Sequence, residues 1–120
     1  MKDSPGPIAT RLLFENDRLR VWEMSLAPGM SSEWHSHLND YAFLNLLPCV
    51  VELRQAGNPP HSRTLAEGFV EYVAVGPNGQ PAHQLANAGD TPLKQILFEL
   101  LGPSASSGPT QIQNNAEPQP

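Results

Sequence analysis

The chain of 120 residues holds a single cysteine, Cys49. One thiol excludes an internal disulfide framework, so stability has to come from packing, and a reducing, cytoplasmic setting is the expectation. Inside the apolar run L-N-L-L-P-C-V-V it reads as a small core residue rather than a nucleophile. Charge is also scarce: 16% of residues are Asp, Glu, Lys or Arg, with 12 acidic against 7 basic and a formal net charge of −5. No basic stripe can neutralise a phosphate backbone, which sets nucleic acid aside as a partner. No apolar run nears the roughly 18 residues of a membrane-spanning helix, and M-K-D-S-P-G-P lacks the hydrophobic stretch of a secretory signal. Long 3.6-period faces free of Gly and Pro are missing too, which argues against a helical domain.

What is there is a series of short segments rich in Val, Leu, Phe and Tyr, each ended by turn residues. L-R-V-W-E-M-S-L stops at P-G, Y-A-F-L-N-L-L at Pro48, V-V-E-L-R-Q at A-G-N-P-P, F-V-E-Y-V-A-V at G-P-N-G, and A-H-Q-L-A-N at A-G-D-T-P, while L-K-Q-I-L-F-E-L-L closes the series. Shorter strands are expected near 8–14, 33–37 and 62–66. Closely spaced short strands predict an antiparallel all-β barrel or sandwich. After Gly102 only one large aliphatic residue, Ile112, remains, too little to offset the entropy of ordering that stretch. The expectation is one domain over 7–102, a flexible start over 1–6 and a flexible tail over 103–120.

In the last strand Ile96, Phe98 and Leu100 share one face, and Leu97 shares the other with Gln95 and Glu99. Parity does not say which face is inside. A half-apolar outer face is what a wall meeting a second sheet or a second subunit would show, and a homodimer is expected on that ground.

Two of the four histidines stand one residue apart in P-G-M-S-S-E-W-H-S-H-L-N-D-Y. Side chains alternate along extended chain, so His35 and His37 point the same way, with Asn39, Tyr41 and Phe43 of the same parity. A turn near Leu38–Asp40 would break that parity and bring Asp40 forward. His83, on another expected strand, can supply a third imidazole, whereas His61 in N-P-P-H-S-R reads as surface. Three imidazoles suit Fe(II), Mn(II), Ni(II), Cu(II) or Zn(II), and spacing does not choose among them. Trp22 and Met24 read as wall packing, Trp34 as a rim aromatic, Gly29 as part of the turn, and Asn87 as a turn-shaping or ligand-orienting residue.

Gly29, five residues, then His35-Ser36-His37 resembles the first half of the first cupin signature, and His83-Gln84-Leu85-Ala86-Asn87 is similar to the His-x3-Asn of the second. The resemblance spans roughly residues 15–101 and implies a double-stranded β-helix, or jelly-roll, barrel with His35, His37 and His83 as metal ligands. Two departures stand out. The glutamate that follows H-x-H is missing, with Tyr41 and Ala42 at its positions and Asp40 just before. The run from Gly68 to His83, fifteen residues on, is longer than the pattern's and suggests an enlarged turn at G-P-N-G-Q-P. Without the glutamate the site would carry more positive charge, favouring a small anionic ligand such as a carboxylate, or a metal-bound water. Tyr41 or Asp40 would then handle the proton. The resemblance implies a metal-dependent enzyme of dioxygenase or isomerase type, or else a non-catalytic small-molecule-binding or sensory protein with a reduced metal site. An interaction module with a vestigial pocket is the third possibility.

Overall fold

The structure, a computed structural model, describes residues 7–102. The expectations for 1–6 and 103–120 lie outside the described residues. Within them the chain is all-β, with eight strands: β1 (Arg11–Glu15), β2 (Leu19–Leu26), β3 (Tyr41–Asn45), β4 (Cys49–Gln55), β5 (His61–Leu65), β6 (Val70–Val73), β7 (His83–Asn87) and β8 (Leu93–Leu100). They form two antiparallel sheets, ordered β1-β2-β8-β3-β6 and β5-β4-β7. This is the double-stranded β-helix expected from the sequence.

The core lies between the sheets. Along β2, alternation turns Met24 and Leu26 inward, with Trp22 packed against the core, while Val21, Glu23 and Ser25 face out. Tyr41, Cys49, Val51, Leu65, Leu93 and Leu97 close the interior, and Ile8 and Ala9 cap it. Cys49 is therefore buried, as its apolar setting indicates. The turn after β2 uses Gly29 at φ 83, a left-handed conformation that costs glycine nothing, and Met30 N donates to Ala27 O across it.

The expected strand over 33–37 is not a regular strand. It touches β7 through one isolated bridge, His35 to His83, with a second from Ser31 to Ala86 just before it, and between the two the hydroxyl of Ser32 takes the amide of Leu85 in place of a continuous ladder. The last strand resolves the parity question: the half-apolar face of Leu93, Gln95, Leu97 and Glu99, which the homodimer expectation took as an outer one, is the buried one, and Ile96, Phe98 and Leu100 look out together with Lys94.

Polar groups inside the barrel are matched to backbone. Asn45, fully buried, donates through Nδ2 to Leu47 O and Ala66 O (both 2.8 Å) and accepts at Oδ1 from Gln95 and Cys49. Asn87 donates to Leu26 O (2.9 Å) and Thr91 O (2.8 Å) and accepts from Gly89 N (3.0 Å). It shapes the turn into β8, one of the two roles its sequence context suggested. Asn87→Ala strands all three backbone groups in a buried site, and a loss of about 2–4 kcal/mol is expected, read as a lower urea midpoint at unchanged slope.

Candidate metal centre

The site begins with a backbone contact. His35 N donates to His83 O (2.9 Å) and His83 N donates to His35 O (2.8 Å), so the two residues face each other as a reciprocal antiparallel pair. Opposed residues present their side chains to the same face, and alternation brings His37 to that face as well. Ring centroids lie 4.5 Å apart for His35–His83, 5.0 Å for His35–His37 and 5.1 Å for His37–His83. One ring nitrogen from each of the three histidines lies within 4.8 Å of the others, and all three are buried.

His35 Nδ1 sits 2.8 Å from Glu33 O. A carbonyl only accepts, so this contact assigns the proton to Nδ1 and leaves Nε2 as a lone pair. Burial lowers the pKa of all three imidazoles: to about 3 for His37, where His35 and His83 add to it, to about 4 for His83, where His35 does, and downward for His35 against the opposing Glu33 carbonyl. Neutral imidazoles are the ligand form. Two buried polar atoms of the described residues lack a hydrogen-bond partner, His37 Nδ1 and Gln80 Oε1, and both belong to this site. The donor set, its neutrality and the orphaned nitrogen fit a divalent transition metal.

Tyr41 stacks on His37 at 3.9 Å between centroids and 17° between planes. Burial pushes its hydroxyl up to about 12 against a hydrogen bond from Gln80, so it stays protonated at neutral pH. Asp40 faces other partners: Oδ2 accepts from the Tyr72 hydroxyl and Oδ1 from Val75 N, both at 2.8 Å. The bend comes at Asn39, which leaves the histidine face and donates to Glu99 Oε2 (2.7 Å). Glu99 Oε1 accepts from Trp22 Nε1 (3.0 Å) and Arg20 (3.4 Å). This buried carboxylate thus ties β2 and β8 to the segment that carries the histidines, directly across from Tyr41. The third parity partner, Phe43, packs on the core instead.

The enlarged turn contributes too. Gln80 N donates to His37 O (2.9 Å), and Gly79, at φ 77, lies so close that a Cβ there would meet Leu38 Cδ2 at 3.0 Å and His37 O at 3.3 Å. The extra residues before His83 therefore form a clamp on the histidine segment. Gln80 and Glu99 were not among the sequence's candidates for the site. The length of the turn is the signal for Gln80, and Glu99 has none beyond its polarity within an apolar strand. His61 and Trp34 are exposed, at the surface and rim where their contexts put them.

No protein-family model matches the sequence, and no curated protein is significantly similar to it. Solved structures are. A cupin domain from Bordetella pertussis matches with a TM-score of 0.67 at 24% identity, over 85% of this chain and all of the other. An RmlC-like cupin with a double-stranded β-helix fold from Methanocaldococcus jannaschii matches at 0.61 and 15% identity, over 84% and 85%. A DMSP lyase from Ruegeria pomeroyi matches at 0.51 and 21% identity, over 72% of this chain and 40% of the lyase. The fold of this chain is the cupin fold.

Two predictions follow from the cluster. His37 and His83 protonate near 6.5 when unfolded but only near 3 and 4 when folded. Between those values the unfolded chain binds more protons, so stability rises with pH and falls on acidification from about 6.5 downward. For the metal-free protein the slope approaches about 1.4 kcal/mol per pH unit for each histidine; urea midpoints between pH 7 and 5 that stay level would contradict it. Gly79→Ala, by pressing on the His37 carbonyl, is expected to lower metal affinity about tenfold while the far-ultraviolet spectrum is kept, which titration calorimetry checks.

Proposed function

We propose that this protein is a small divalent-metal cupin whose ion is held by His35, His37 and His83, and that it acts on a small anionic organic molecule, a carboxylate in the first place, by dioxygenase- or isomerase-type chemistry. The observation that supports this reading is the meeting of three buried, neutral imidazoles with no carboxylate among them. A bound divalent ion would supply Lewis acidity and an uncompensated positive charge, which favours an anionic ligand over a neutral one. Tyr41, kept protonated, donates a hydrogen bond to that ligand or passes it a proton; Gln80, with a buried amide oxygen to satisfy, orients it. Asp40 serves as the positioning group that fixes Tyr72 and the end of β6, and proton handling is assigned to Tyr41. The lyase among the structural neighbours is a precedent for enzymatic use of the fold. The lone buried thiol fits a reducing, cytoplasmic location, and among the described residues no helix is long and apolar enough to cross a membrane.

A second reading has one observation in its favour. Tyr41 takes the place of the signature glutamate and fills the space over His37, as in a binding or sensory barrel that has given up part of its metal site.

Elemental analysis of tag-free protein separates the two. The expected result is about one equivalent of a transition metal per chain, lost in the His35→Ala, His37→Ala double variant. Chains that stay empty after reconstitution with Fe(II), Mn(II), Ni(II) and Zn(II) would sink the metal reading and leave the second. In the loaded protein, Tyr41→Phe is expected to retain the metal and to weaken binding of oxalate, as a carboxylate probe, by roughly tenfold or more. Unchanged oxalate affinity would remove Tyr41 from the ligand's path.

A further inference from the structure

Gln80 has a side chain that its clamping role does not require. The backbone amide of Gln80 holds the His37 carbonyl at 2.9 Å, a contact open to any residue except proline. The side chain turns to Tyr41 instead, where the amide nitrogen donates to the hydroxyl. What is left over is the amide oxygen, buried and without a hydrogen-bond partner, a state that only His37 Nδ1 shares among the buried side-chain atoms of the described residues. Buried acceptors are seldom left unpaired, because the loss of water is then not compensated.

The direction of the Tyr41 contact sets the polarity of this corner. With the Gln80 nitrogen donating, the Tyr41 oxygen accepts and its own proton is free for a ligand. Tyr41 thus presents a donor and Gln80 an acceptor. The oxygen and nitrogen of an amide lie about 2.3 Å apart, and the hydroxyl lies one hydrogen bond further, so the two poles sit within about 5 Å of each other. Both are beside the His37 ring, on which Tyr41 stacks at 3.9 Å. A plain carboxylate answers only the first of them: it accepts from Tyr41 and has nothing to give Gln80.

We propose that the ligand of this site is a 2-hydroxy carboxylate, its carboxylate accepting from Tyr41 and its hydroxyl donating to Gln80 Oε1, and that Gln80 is the residue that selects it. This rests on the metal and carboxylate reading given above. Spacing is the first reason. A hydroxyl on the carbon next to the carboxylate lets one small molecule meet both poles. Charge is the second. A 2-amino carboxylate also brings a donor, but its ammonium would enter a cluster that contains no carboxylate. Glu99, the buried carboxylate across from Tyr41, is already committed to Trp22, Arg20 and Asn39. An unpaired buried cation is costly, and a neutral hydroxyl is not. The third is preorganisation. Gln80 is held through its backbone to His37 and through its nitrogen to Tyr41, so the oxygen is in place before a ligand arrives.

Titration calorimetry on the full chain loaded with Zn(II), using glycolate and methoxyacetate, tests this. Both acids have an oxygen on the carbon next to the carboxylate, but only glycolate has a hydrogen on it to give. Glycolate is expected to bind the wild type at least about tenfold more tightly, since the analogue leaves the buried acceptor unpaired. Gln80→Leu keeps the backbone contact to His37, so metal content and the far-ultraviolet spectrum should be unchanged. In that variant the preference should shrink to about twofold or less. Equal affinities in the wild type would overturn the proposal, and so would a preference that survives in Gln80→Leu, which would trace it to the bulk of the methyl group. Either result leaves carboxylate binding standing. If neither acid binds the loaded chain, the carboxylate reading falls, and this proposal falls with it.

Discussion

The reciprocal pair of backbone hydrogen bonds between His35 and His83 is the contact on which the site depends. It joins an irregular segment to the last strand of the smaller sheet, and because opposed residues share a face, it places two imidazoles together before any side chain has chosen a rotamer. His37 then follows by alternation alone. The segment after it has no ladder to hold it, and three separate devices do so instead: Asn39 on Glu99, the Gln80 amide on the His37 carbonyl, and Tyr41 stacked on His37. Each is polar or aromatic, and each leaves the imidazole nitrogens free.

Burial does the electrostatic work. Three imidazoles packed this closely would repel one another if protonated, and their removal from water already disfavours the charged form. The result is a set of lone pairs gathered without a counter-charge, the opposite of a site that relies on a carboxylate. The buried carboxylate across from Tyr41, Glu99, is committed to Trp22, Arg20 and Asn39, and its negative charge is spent on holding elements together.

The same strand that positions Glu99 shows how the barrel divides its polarity. Gln95 and Glu99 face inward, where Asn45, Trp22 and Asn39 satisfy them, and Ile96 and Phe98 face outward. Ranked by hydrophobicity alone, the two faces would be assigned the other way round. A buried polar group with its partners in place costs little, and each partner here comes from a different part of the chain.

Much was legible beforehand. Short apolar segments ended by Pro and Gly gave an all-β fold, because strand length and turn chemistry are local properties. The parity of His35 and His37 was readable because alternation is a property of extended backbone, and the match of Gly29, His35, His37 and His83 to a known signature supplied the partner. The irregular run over 33–37 was not readable, since the hydroxyl of Ser32 just before it replaces part of the ladder and propensity does not record that substitution. Neither was the reach of Gln80 to His37, nor the partners of Asp40. What the sequence determined by itself is the set of strands and which side chains share a face. The tertiary structure alone decided which face is inside, which polar group meets which, and that a long turn becomes a clamp, because those depend on contacts between residues far apart in the chain whose energies no local pattern encodes.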